Sequence, residues 1–183
     1  MPDLASKEDV LSFWFEEISP DSWFRKDDDF DETLRARFGS TVEAALAGEL
    51  DSWADTLEGC VALILVLDQF PRNIYRGTPR AFGGDDMALE LSQRCVERGY
   101  LNTDHTGWRS FMLMPMMHSE DLEVQEASLP LFDEFTNPRT HGFAVRHRDI
   151  VARFGRFPHR NAILGRPSTD AEVAFLEQPG SSF

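Results

Sequence analysis

The chain has 183 residues, 42% of them hydrophobic, with 15 Phe and 4 Trp. That excludes general disorder and is enough for one hydrophobic core over residues 1–183 without disulfides or metals. Its formal charge is −14, which argues against a general nucleic-acid binder and against a protein that coats anionic membranes.

Helix signals dominate in chain order. Ser6 with Asp9 makes a capping box, followed by Val10, Leu11, Trp14, Phe15 and Ile18 at helical spacing. Pro20 should end that helix. Asp27-Asp28-Asp29 opens the next, which runs through Phe30, Leu34, Phe38 and Val42 to Gly48, with a break expected near Gly39. Residues 57–70 form an apolar helix that Pro71 and Gly77 should close. Asp85-Asp86 starts another, with Gly99 at its C-terminal cap. Residues 105–135 hold one or two helices kinked or broken at Pro115, with Ser119 as an N-cap and Glu120 and Asp121 in the first turn after it. A helix over 141–154 follows, and Thr169 with Glu172 caps a short last one. No strand pattern competes. The prediction is all-α, with seven to nine helices in short-looped antiparallel pairs.

Cys60 and Cys95 form no CxxC, and no Cys/His clustering suggests a metal site, so neither a metal nor a cofactor is expected. The longest apolar run, Cys60–Leu67, is eight residues, well short of the roughly 20 that span a bilayer. Met1-Pro2-Asp3-Leu4 has no signal-peptide character, so a reducing cytoplasm is the expected compartment.

The charge is uneven. Residues 1–60 carry 16 acids and 5 bases, whereas 137–168 carry seven Arg against Asp149 alone. Either the two ends neutralise each other in the fold, or the Arg-rich segment grips an anion. One near-repeat bears on the choice. Phe70-Pro71-Arg72-Asn73 and Phe157-Pro158-His159-Arg160-Asn161 both follow an apolar helix, and both lead into an apolar residue, a Gly and an Arg. Arg offers five donors and Asn offers both roles, so two such turns face to face would make a compact polar site. Separately, each would cap its own helix carbonyls. His118 beside Glu120, and His147 beside Asp149, are candidate acid–base pairs. His147 also sits on the apolar stripe of Phe143, Ile150, Val151 and Phe154, as a core histidine would. Arg146, Asp149, Arg153 and Arg156 form a second stripe, with Asp149 placed to pair with Arg153. Asp68, one turn before Arg72, is a candidate internal partner for the surplus Arg.

Several segments resemble the Domain of Unknown Function 924 family, a mainly bacterial one. They are Leu11-Ser12-Phe13-Trp14-Phe15, Leu67 to Gly77, Met117-His118-Ser119-Glu120-Asp121, Arg153 to Asn161 and the closing Gly180-Ser181-Ser182-Phe183. The resemblance implies a tetratricopeptide-repeat-like stack of antiparallel helix pairs. It also implies that Asp68, Gln69, Arg72, Asn73, Arg76, His118, Ser119, Glu120, His147, Arg148, Asp149, Arg156, His159, Arg160 and Asn161 match family motifs, without giving them roles.

The expected function is binding of an anionic small molecule or peptide. The pocket would draw on Asp68, Arg72, Asn73, Arg76, His118, Arg148, Arg156, His159, Arg160 and Asn161. An enzyme is the first alternative, with His118 or His147 as base, Glu120 or Asp149 as orienting carboxylate, and Arg72 and Arg160 as clamp. A structural or assembly protein is the second.

Overall fold

The computed structural model of the protein describes residues 4–183, so Met1-Pro2-Asp3 of the start read for a targeting signal lie outside it. The described residues are all-α and hold no strand. Helix α1 (Lys7–Ser12) has the expected capping box and runs on into a π-helical turn, Phe13–Glu17. Helix α2 (Asp28–Leu46) is capped by Asp27 and passes through Gly39 unbroken. A lone glycine weakens a helix by only about 1 kcal/mol, and the packing of α2 overrides that.

Helix α3 (Leu57–Ile64) continues through a π-helical turn (Leu65–Gln69) into α4 (Phe70–Ile74). Pro71 does not stop this run as its type predicts; it sits in the first turn of α4. A proline needs a helix that tolerates a missing N–H and a displaced carbonyl four residues back. The π turn supplies that widened backbone. The carbonyl concerned belongs to Leu67, and Gly84 packs against it so closely that a Cβ there would lie 2.3 Å from its oxygen. Gly84 is the N-cap of α5 (Asp85–Glu97). Pro71, the π turn and Gly84 therefore set the start of α5 against the α3–α4 run.

Helices α6 (Thr106–His118), α7 (Leu122–Phe135) and α8 (Pro138–Phe154) follow, and α9 (Asp170–Leu176) has the expected Thr169–Glu172 capping box. Pro115 lies inside α6 without ending it; the burial of Phe111 to Met117 outweighs the one backbone hydrogen bond that the proline forfeits. The break comes at Ser119–Asp121. Asp121, not Ser119, caps α7, and Glu120 stays outside the helix. Consecutive helices pack on one another, α5 on α6, α6 on α7 and α7 on α8, while α3 touches α1, α5 and α6. The core around α3 is aromatic. Phe70 lies 5.5 Å from Trp14 and 5.0 Å from Phe38, and Phe111 is 5.7 Å from Trp14, ring centre to ring centre. A smaller cluster of Ile150, Val151 and Phe157 sits beneath the turn that follows α8. No helix among the described residues is long and apolar enough to cross a membrane.

Candidate functional site

Four element ends meet in one place. The α3–α4 run brings Asp68 and Arg72, α5 begins with Asp85, α6 ends on His118, and the turn Pro158–Arg160 after α8 brings Arg160. The two near-repeated turns therefore converge through their arginines. Asp68 is wholly buried in the π turn. Its carboxylate accepts from Gln69 at 2.6 Å, lies 2.7 Å from His118 Nδ1 and is 3.2 Å from Arg72 Nη1. Burial alone would raise the Asp68 carboxyl. The Arg72 charge and the His118 contact outweigh it and hold the group below the usual carboxylate range. His118 is kept below its usual value by burial, against the pull of Asp68 and with the help of Arg72, so its imidazole is neutral near pH 7. The ring keeps 15% of its side-chain surface, and Nε2 makes no hydrogen bond among the described residues.

Arg72 grips the Asp85 carboxylate with both terminal nitrogens, at 2.8 and 3.1 Å, and also donates to the Asp68 carbonyl. Arg160 reaches the same Asp85 at 3.3 Å and the His118 carbonyl at 3.0 Å. Both guanidiniums lie over the Phe82 ring, at 5.6 and 4.6 Å. Two cations thus share one carboxylate. Burial first, and Arg72 next, pull Arg160 down to about 10, and its buried Nε has no partner among the described residues.

The other candidates separate. His147 is buried, and its Nδ1 lies 2.8 Å from the Phe143 carbonyl, as the core reading requires. Its ring is 6.2 Å from that of His118 and stacks on Phe183 at 3.8 Å. Burial takes it down to about 3 and His159 to about 4. Nδ1 of His159 is buried without a partner among the described residues. Neither Glu120 nor Asp149 orients a histidine. Glu120 accepts from Arg166 at 2.7 and 2.9 Å and from the Phe157 N–H at 2.7 Å. Asp149 is exposed and pairs with Arg148 at 2.8 Å, not with Arg153, whose guanidinium lies over the Phe154 and Phe175 rings. Asn73 and Arg76 face away, onto Asp31 of α2, with distances of 2.6–2.8 Å. Arg156 is held by Glu172, and Asn161 bridges Ser168 and Arg166. Of the ten residues expected to line a pocket, Asn73, Arg76, Arg148, Arg156 and Asn161 are thus committed elsewhere as structural ties.

The acidic N-terminal third does not neutralise the Arg-rich segment. Among the described residues, the paired arginines of 137–168 find Asp85, Glu120, Asp149 and Glu172. Arg139, Arg146 and Arg153 have no carboxylate there and lie over the rings of Phe143 and Phe154. Three contributors escaped the sequence reading. Asp85 read only as a helix start, and Phe82 and Phe183 carried no signal of proximity. No group of three or more His, Cys, Asp or Glu among the described residues is arranged to hold a metal.

The comparisons agree with this architecture. No curated protein matches the chain. A solved structure, that of the protein of unknown function ATU0120 from Agrobacterium tumefaciens, is similar, with 39% identity and a TM-score of 0.88. The match covers 93% of this chain and 96% of that one. The model for a bacterial protein of unknown function, DUF924, matches residues 10–180. The chain belongs to the DUF924 family.

Proposed function

We propose that the cluster at His118 is an acid–base site for an anionic substrate. One observation carries the reading. His118 has Nδ1 fixed on a wholly buried carboxylate at 2.7 Å, Nε2 makes no hydrogen bond among the described residues, and two arginines that share one aspartate touch the Asp68 carboxylate and the His118 carbonyl. A buried carboxylate on one imidazole nitrogen fixes the tautomer and stabilises the cation that forms when the other takes a proton. In this reading Asp68 orients, His118 Nε2 moves the proton, and Arg72 and Arg160 hold the anionic group. The charges support an anion. Asp68 and Asp85 balance Arg72 and Arg160 on paper, yet Arg160 is undercompensated and has donors to spare. Binding without chemistry, the other reading of the same arginines, is an outcome of the test.

The test takes wild type, His118→Asn and Arg160→Met. Binding is followed by titrating inorganic phosphate against the imidazole resonances, and turnover by a panel of nitrophenyl phosphate, sulfate and carboxylate esters. The expected result is phosphate perturbing His118 in wild type and weakly or not at all in R160M. Turnover should fall by about 10²-fold or more in H118N. Phosphate binding with no turnover of any ester reduces the site to a binding pocket. No effect of phosphate on His118 overturns the site altogether.

A further inference from the structure

The Phe183 ring has no part in the chemistry above, yet its placement is specific. It stacks face to face on His147 at 3.8 Å and 24° and meets the edge of His159 at 5.8 Å and 77°. Phe157 forms the floor, 5.5 Å from His147 and 5.8 Å from His159, and carries the Arg160 guanidinium at 4.7 Å. His147, Phe157 and His159 thus make an aromatic slot beside the arginine–histidine cluster. Phe183 fills it loosely, being 50% exposed. The anchors on its segment are Ser181 Oγ to the Leu176 carbonyl and the Ser181 N–H to Gln178, and Gly180 with φ +80° precedes them. Phe183 itself is held by its stack on His147 and its edge contact with His159, while the hydrogen bonds of its segment lie at Ser181, so a ring that makes the same stack can replace it. Two buried polar atoms beside the slot, His159 Nδ1 and the Arg160 Nε donor, have no partner among the described residues.

We infer that the slot of His147, Phe157 and His159 is a substrate subsite, that its ligand is an anionic small molecule carrying an aromatic ring, and that Phe183 occupies the ring's place until the ligand arrives. The inference rests on the anion site at Arg72 and Arg160 and adds the ring. Stacking on the His147 imidazole against the edge of His159 selects flatness, and the neighbouring guanidiniums select charge. An aliphatic anion gains only the second.

Phenylphosphonate and methylphosphonate separate the two contributions, since they share the anion and differ by the ring. Their affinities are measured calorimetrically on wild type, Phe183→Ala and Phe183→Leu, with the His147–Phe183 nuclear Overhauser contact followed in wild type. On wild type, phenylphosphonate should bind about fivefold more tightly than methylphosphonate and abolish the His147–Phe183 contact. Both variants should raise phenylphosphonate affinity by a further factor of about five and leave methylphosphonate unchanged. F183L keeps an apolar side chain over the segment, so a gain in both variants is not a folding artefact. Equal binding of the two phosphonates on all three proteins overturns the subsite and leaves the anion site standing. No binding of either overturns both.

Discussion

Asp68→Asn tests the centre of the geometry. The wild-type carboxylate is wholly buried and touches Gln69, Arg72 and His118. The amide keeps its shape and loses its charge. Arg72 and Arg160 are then left with Asp85 alone, so one positive charge in a buried cluster is uncompensated. Removing one member of a buried ion pair costs about 3–5 kcal/mol. Two features place this case at the lower end, near about 3 kcal/mol. Arg72 retains its two-pronged grip on Asp85 and keeps 21% of its side-chain surface in water. The substituted amide keeps one oxygen for His118 and Arg72, which share Oδ1, and loses the one that accepts from Gln69. Against a typical total of about 5–15 kcal/mol, such a loss is large.

The assay is urea unfolding at pH 7, read as a shift of midpoint at constant slope. Because Asp68 has a folded-state pKa below its unfolded one, its stabilising effect is complete above the ordinary aspartate value of about 3.9 and is lost as pH falls through the folded-state value. The wild-type advantage over D68N should therefore hold from pH 8 to about pH 5 and shrink only below about pH 4. Arg72→Met in the D68N background removes the stranded cation and should recover part of the loss, with a coupling of at least about 1 kcal/mol. A D68N penalty under about 1 kcal/mol, or no recovery in the double variant, would refute the ion-paired Asp68.

Three further outcomes follow from the same packing. His147 and His159 are held neutral at about 3 and about 4, and His118 is lowered with them. The unfolded chain binds those protons first, so stability should fall as pH drops below about 6.5, by up to about 1.4 kcal/mol per pH unit for each histidine. Urea midpoints at pH 7, 5.5 and 4.5 check this, and His147→Leu should flatten the decline. Gly84→Ala puts a Cβ 2.3 Å from the Leu67 oxygen, which must push α5 and Asp85 away. A loss of about 1–3 kcal/mol in thermal unfolding is expected, together with weaker phosphate effects on His118. Glu172 is held at about 2, chiefly by its hydrogen bonds with Arg156. Its stabilisation of α9 is present above the ordinary glutamate value of about 4.3 and fades toward about 2. Protection of the α9 amides, corrected for the intrinsic pH dependence of exchange, should fall over that window in wild type and show no such step in Glu172→Gln.

The helices were legible because their signals are local. Ser6 with Asp9 and Thr169 with Glu172 are capping boxes that read the same in one dimension as in three. The failures were also local in form but tertiary in cause. Nothing in the segment around Pro71 announces a π turn. The proline looks like a stop until the Leu67 carbonyl it displaces is seen to sit against Gly84. Pro115 looks like a break until the turn around it, Phe111 to Met117, is seen to be buried. Glu120 looks like the partner of His118 because it is two residues away. The real partner, Asp68, is fifty residues earlier and reads in the sequence only as a partner for arginine.

The near-repeat shows why motif identity does not carry over residue by residue. Phe70-Pro71-Arg72-Asn73 lies inside a helix, so successive side chains diverge by about 100°. Arg72 falls one turn from Asp68 and faces Asp85, while Asn73 turns toward α2 and Asp31. Phe157-Pro158-His159-Arg160-Asn161 follows Gly155 at φ +69° and closes as a 3₁₀ turn, with one residue more before its arginine. That added residue is His159, which lines the aromatic slot, and it leaves Arg160 facing Asp85 while Asn161 turns to Ser168. Capping and convergence, rivals for these arginines in the sequence, are not rivals in the fold. Arg160 does both, taking the last carbonyl of α6 and reaching Asp85, whereas Arg72 bonds the Asp68 carbonyl within the α3–α4 run with the same Nη1 that reaches Asp85. A helix end that needs a donor and a carboxylate that needs a cation are met by one guanidinium. The two arginines are thereby fixed in place without being saturated, which is the condition an anion site requires.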